Sequence, residues 1–142
     1  MSMHSARSGS SGGYKSTSKP SFSLPGPDKS VQAIYEYKGN IATLAQTQQG
    51  SKYLQRVLTH APPDVVEFIL KEVIDCLSSL MPDQYGNYFS QKLFQSCSPQ
   101  QRYEILKSIQ HDVVKISCSK SGTHSMQTLI DVSMETSIVY RC

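Results

Sequence analysis

The chain repeats itself. Gly50, Gly86 and Gly122 fall 36 residues apart, and Gln55, Gln91 and Gln127 keep the same interval. Apolar positions move in step with them: Ile41, Leu77 and Val113; Leu44, Leu80 and Ile116; Val57, Leu93 and Leu129; Leu58, Phe94 and Ile130. Pro63 is matched by Pro99, Ile69 by Ile105, Leu70 by Leu106 and Val73 by Ile109. This many coincidences at one offset mark a repeat architecture, in which each unit is one supersecondary element.

Within a unit the pattern is helical. Val65, Phe68, Ile69 and Val73 have helical spacing, as do Tyr103, Leu106 and Ile109 one unit later, and Pro62-Pro63 and Ser98-Pro99 mark the preceding boundaries. A second apolar stripe, with Leu54, Val57 and Leu58, follows the first glycine. Each unit then reads as a short leading turn, a helix after the glycine and a helix after the proline. One such unit is too small to bury its own apolar face, so neighbours must stack, and the expected fold is an all-α solenoid. The units run over about 39–76, 77–112 and 113–142. The last stops at Cys142 before a counterpart of the helix at 65–75 is complete, so the solenoid is expected to be truncated, with an uncovered end that is marginally stable or prone to associate.

Residues 1–30 hold ten serines and almost no periodic apolar residues, too few to offset the entropy of ordering them. Segment 1–38 is therefore expected to be a disordered Ser/Gly-rich leader. It also carries the whole formal charge of +3, because nine bases balance nine acids from Gly39 onward. Net charge thus gives the repeats no preference for nucleic acid; only its distribution can. No stretch approaches the apolar length of a membrane span, and no apolar signal region follows Met1. Cys76, Cys97, Cys118 and Cys142 are widely spaced and form no metal-binding pattern, which suits a reduced compartment. Cys97 and Cys118 read as small buried apolar residues, and His60 and His111 as surface.

The residues after each glycine carry the chemistry: GSKYLQ at 50–55, GNYFSQ at 86–91 and GTHSMQ at 122–127. Positions one helical turn apart share a face, so Ser51 is paired with Gln55, Asn87 with Gln91 and Thr123 with Gln127. Lys52, Tyr88 and His124 sit beside the pairs. An unstacked RNA base exposes an edge that a hydroxyl or amide pair can read while a flat or cationic side chain covers its face. Ser51, Asn87 and Thr123 are equally good helix N-caps, which would explain them but not the glutamines. Tyr88 can also serve packing between units, and His124 can be a plain surface residue. The windows 50–58, 86–95 and 122–130 contain Lys52, Arg56, Lys92 and His124 but no acid, as a phosphate-facing surface requires.

No phosphate-cradling loop, HExxH or nucleophile–base arrangement is present, so no enzyme, cofactor or small-molecule substrate is expected. The rival class is a protein-binding solenoid of armadillo or HEAT type. Those repeats run longer, about 40–47 residues, and lack a regular polar pair beside a stacking residue.

The strings LAQTQQGSKYLQRVL, PDQYGNYFSQKLFQSCSPQQRYEIL and SGTHSMQTLID resemble successive repeats of the Pumilio/FBF (PUF) family, from about Gly39 to the C-terminus. The resemblance implies a right-handed α-solenoid with three helices per repeat and a concave face that binds single-stranded RNA, one base per repeat. By the family's pattern, Asn87 and Gln91 with Tyr88 imply uracil, Ser51 and Gln55 with Lys52 imply adenine, and Thr123 and Gln127 with His124 imply adenine. RNA running antiparallel to the protein would then read 5′-AUA-3′. Binding to mRNA 3′ UTRs, post-transcriptional and translational regulation in the cytoplasm, and protein co-regulators on the convex face are further implications of the resemblance.

Overall fold

The computed structural model describes residues 31–141, with side chains through Glu135. The α-helices among them are α1 (Ile41–Ala45), α2 (Gln48–His60), α3 (Pro63–Val73), α4 (Leu77–Leu80), α5 (Gly86–Ser96), α6 (Pro99–Ile109), α7 (Val113–Ile116) and α8 (Lys120–Arg141). Short 3₁₀ helices cover Gln32–Tyr37 and Ile74–Cys76, and no strand occurs among the described residues. The segment expected as a leading turn is a short helix in every repeat. The first two repeats therefore have three helices each, and α2, α5 and α8 lie side by side as equivalent middle helices.

Proline sets the corners. Pro63 and Pro99 open α3 and α6, where a missing N–H costs nothing. The residue before each, Pro62 or Ser98, is pushed to extended backbone at ψ 166°, which ends the preceding helix. Ser98 and Gln101 add a reciprocal capping box. The corresponding residues of the third repeat are Met134 and Glu135, so nothing breaks the helix, and α8 runs unbroken for 22 residues. The third repeat thus has no separate third helix among the described residues: its middle helix continues into the space where a corner was expected.

One apolar core threads the layers, built from residues such as Leu44, Tyr53, Val57, Ile69, Leu80, Phe89, Phe94 and Leu129. Polar bonds tie each layer to the next. Ser51 Oγ donates to the Tyr85 carbonyl at 2.8 Å, Ser125 Oγ to the Met81 carbonyl at 2.8 Å, and Ser78 Oγ to Asp112 at 2.7 Å. Arg102 donates through Nε to the Phe94 carbonyl at 3.1 Å and through a terminal nitrogen to the Val132 carbonyl at 3.2 Å, fastening α6 to α5 and α8.

Two expectations shift at the ends. Gln32–Tyr37 falls inside the segment expected as a leader, yet Ile34 and Tyr37 are buried, and the Tyr37 ring meets Tyr53 edge-on at 5.6 Å. Tyr35 packs on Phe68 at 4.8 Å and donates to Asp64. Ile34 and Tyr37 stand 36 residues before Leu70 and Val73, so they hold the register of a third helix inside a segment whose composition reads as a leader; residues 1–30 lie outside the described ones. In the second repeat the buried stripe of α6 is Ile105 and Ile109, while Tyr103 and Leu106 are exposed. Leu106 is 37% exposed where its counterpart Leu70 is 1%, and Ile130 is 43% exposed where Phe94 is 0%. No helix of a further layer covers them among the described residues.

Candidate nucleic-acid interface

The middle helices are set by a local device that also recurs every 36 residues: Thr47, Asp83 and Ser119. Their side chains accept from the backbone N–H of Gly50, Gly86 and Gly122 at 3.0, 2.8 and 2.9 Å. These residues do the capping, so Ser51, Asn87 and Thr123 are not the N-caps that the sequence left open. The glycines are required by close approach. A Cβ on Gly86 would stand 2.7 Å from the Leu80 carbonyl oxygen, and on Gly50 or Gly122 it would overlap the Leu44 or Ile116 carbonyl oxygen. Each short helix thereby presses a carbonyl from its C-terminal end against the start of the middle helix.

One turn after each cap comes the first member of the polar pair. Ser51 is 2% exposed; its hydroxyl donates to Tyr85 of the next repeat and accepts from Gln55 Nε2 at 3.1 Å. Asn87 is 4% exposed; its amide nitrogen donates to the Asp83 and Gln84 carbonyls at 2.8 and 3.0 Å, and its Oδ1 accepts from Gln91 Nε2 at 3.2 Å. Gln91 Oε1 accepts from Thr128 of the next repeat at 3.0 Å. In both repeats the buried residue anchors and the half-exposed glutamine is aimed. Sequence periodicity brought the pairs together but did not reveal this division of labour, nor the part played by Thr128.

Beside the pairs, Lys52 and Tyr88 project outward, Tyr88 being 58% exposed, so it is not consumed in packing between layers. Lys52, Tyr88, Ser51, Gln55, Gln48 and Tyr85 enclose an open cleft of about 260 Å³ between the first two repeats. It has a cationic group, a flat ring and an oriented amide around one space. Gln48 and Tyr85 were not singled out from the sequence. Arg56 is exposed and Lys92 half-buried on the same helices.

The third repeat departs from this plan. Thr123, His124 and Gln127 are all exposed. Thr123 Oγ1 donates to the Ser119 carbonyl at 2.8 Å and the Ser117 carbonyl at 3.1 Å, while Gln127 Nε2 donates forward to Asp131 Oδ1 at 2.9 Å. The expected Thr123–Gln127 pair is therefore not joined. Asp131 lies one residue beyond the acid-free window and breaks its pattern on the same helix.

Elsewhere, Cys97 is buried but Cys118, in the α7–α8 corner that no further layer covers among the described residues, is exposed, contrary to the expectation that both are internal. Burial pushes the Cys97 thiol up to about 12, against a smaller lowering by Arg102. Burial, helped by Tyr37, likewise carries the Tyr53 phenol up to about 12. His60 and His111 are exposed. Among the described residues no His, Cys, Asp and Glu cluster could hold a metal ion, and no helix is long and apolar enough to cross a membrane.

Stacked three-helix repeats with an oriented amide and a stacking side chain on each of two adjacent middle helices define an α-solenoid with a polar groove. The chain matches the model of the NOP9-like PUF repeat domain over residues 12–140. It belongs to the PUF, or Pumilio-repeat, family. It is similar to Pumilio homolog 12 of Arabidopsis thaliana, 38% identical over 104 residues that make up 71% of this chain and 17% of that protein. It is also similar to a Pumilio domain-containing protein of Schizosaccharomyces pombe, 33% identical over 73% of this chain and 13% of that protein. The chain therefore spans less than a fifth of these relatives. Among solved structures, the Puf4 RNA-binding domain bound to an HO endonuclease RNA 3′ UTR recognition sequence is 34% identical, with a TM-score of 0.62 over 66% of this chain and 29% of that one. The Puf3 RNA-binding domain, 24% identical with a TM-score of 0.65 over 69% of this chain and 29% of that one, shares the fold.

Proposed function

We propose that this chain binds single-stranded RNA along α2, α5 and α8, with one base per repeat, and serves the regulation of mRNAs through their 3′ UTRs in the cytoplasm. The observation that carries the reading is the cleft between the first two repeats, where Lys52 and Tyr88 bracket a space floored by the anchored Gln55. A base entering it would be covered on its faces by a cation and a ring, and read at its edge by an amide with fixed orientation. The likeness to the Puf4 RNA-binding domain, bound to a 3′ UTR recognition sequence, favours RNA over a protein ligand.

The anchors explain how a flexible glutamine can discriminate. Gln91 is held by Asn87 at its nitrogen and by Thr128 at its oxygen, so it cannot rotate to suit every base. Its remaining N–H and lone pair would face one edge, which the family pattern assigns to uracil, with adenine at Gln55. Base stacking is worth about 1–3 kcal/mol per base, so three repeats supply about 3–9 kcal/mol before ordering costs. That corresponds to micromolar affinity or weaker.

The test is fluorescence anisotropy of the chain with a short RNA ending in AUA, beside the same RNA with its uracil replaced and beside an Asn87→Ala/Gln91→Ala variant. Weak binding that is lost in both controls is the expected result. Binding indifferent to the base would reduce the groove to nonspecific phosphate attraction. No binding by a helical chain would favour a protein-interaction solenoid, the reading that the exposed apolar side chains of the last repeat would then support.

A further inference from the structure

The third repeat carries an acid where the other two have none. Asp131 stands in the place of Gln95 and Thr59, one turn beyond the repeating glutamine. Its Oδ1 lies 2.9 Å from the Gln127 amide. A carboxylate oxygen only accepts, so the atom that faces it must be the N–H donor of that amide. In the first two repeats the same amide donates backward, to Ser51 or Asn87. Thr123 is not joined to Gln127, and its hydroxyl proton is directed to backbone carbonyls.

Asp131 therefore reverses the glutamine. One N–H of Gln127 is consumed, its Oε1 is an acceptor by its chemistry, and the second carboxylate oxygen adds another acceptor with negative charge. The edge so formed is rich in acceptors. Uracil presents two carbonyl oxygens around a single N–H and is the worst match. Guanine presents a ring N–H and an amino group side by side, two donors for two acceptors, and is the best; adenine and cytosine, with one amino group each, fall between.

We propose that Asp131 is a specificity-determining residue that sets the third repeat to guanine, not to the adenine implied by family resemblance. The proposal rests on the groove being an RNA site, as inferred above. A glutamine and an aspartate one turn apart also steady a helix surface; that role alone gives no base preference.

The experiment titrates the chain by fluorescence anisotropy against four RNAs ending in 5′-NUA-3′, N being each base in turn, and repeats the series with Asp131→Asn. Asp131 is exposed, and the variant's far-UV circular dichroism verifies its fold. The expected result is binding about tenfold tighter for N = G than for N = U, with the preference abolished in Asp131→Asn. Equal binding of the four, or a preference for guanine that survives Asp131→Asn, overturns the proposal while leaving the reading of the middle uracil intact. Failure of every RNA to bind overturns both.

Discussion

Replacing Gly86 by alanine sets two effects against each other, and the geometry decides between them. In an open helix the exchange is favourable by about 1 kcal/mol, because alanine loses less backbone freedom. At Gly86 the new Cβ would stand 2.7 Å from the Leu80 carbonyl oxygen and 3.1 Å from Asp83 Cβ. A backbone carbonyl cannot swing aside as a side-chain tip can, so the corner between α4 and α5 must open. Opening draws Asp83 away from the Tyr85 and Gly86 N–H groups that it accepts from at 2.9 and 2.8 Å. Overpacking of this kind costs about 1–3 kcal/mol, and a weakened cap about 1 kcal/mol. After the propensity gain, Gly86→Ala should lose about 1–3 kcal/mol. Urea unfolding followed by far-UV circular dichroism reads this as a lower midpoint at unchanged slope. Gly50→Ala and Gly122→Ala, where the overlap is worse, should fall further. A Gly86→Ala chain as stable as the parent, or more so, would refute the claim that the repeating glycines mark a helix contact.

Further outcomes follow from the same structure. Asp83→Ala removes a carboxylate serving two N–H groups and should cost about 1–2 kcal/mol, measured in the same unfolding assay. Tyr53 keeps its proton in the fold up to about 12, while the unfolded chain gives it up near the ordinary 10.0; stability should be insensitive to this group below pH 10.0 and fall as pH rises from there to about 12, tracked by tyrosinate absorbance. Cys97, buried with its thiol pushed up to about 12, should resist iodoacetamide at neutral pH until the chain unfolds, whereas exposed Cys118 is modified in the folded state; equal rates would contradict the packing of α5. The exposed Leu106, Ile130 and Met134 should make the chain associate with rising concentration in sedimentation velocity, and Ile130→Ser should reduce it.

The offset of 36 residues exposed most of the fold, since burial in a solenoid recurs with the repeat: Leu44 and Leu80, Val57 and Leu93, and Leu58 and Phe94 occupy matching core positions. What it missed has physical reasons. Thr47, Asp83 and Ser119 share the offset but differ in chemistry, so only the common task of accepting a glycine N–H makes them one feature. Ile34 and Tyr37 continue the offset backward from Leu70 and Val73, but in a segment whose serines and glycines read as a leader. The unbroken α8 was legible only as an absence, the lack of a proline at position 135. At the groove, the pairing of residues one turn apart was visible for Ser51 with Gln55 and Asn87 with Gln91. The third pair failed because Asp131, a competitor one turn further on, lay outside the motif.

The side-by-side packing of α2, α5 and α8 has a consequence for any strand laid across them. Packed helices stand about 8–10 Å apart, whereas stacked bases along a strand rise only about 3.4 Å. A strand that gives one nucleotide to each helix is therefore drawn out well beyond its stacked length, and every base step along the groove opens. The protein would have to fill those gaps with flat or cationic groups of its own, and under the proposed reading Lys52, Tyr88 and His124 would serve as wedges between bases. If the groove takes RNA as proposed, the spacing of the helices, fixed by apolar contacts and by the Ser51 and Ser125 bonds to the following or preceding layer, would act as a gauge that admits a single strand and excludes a duplex.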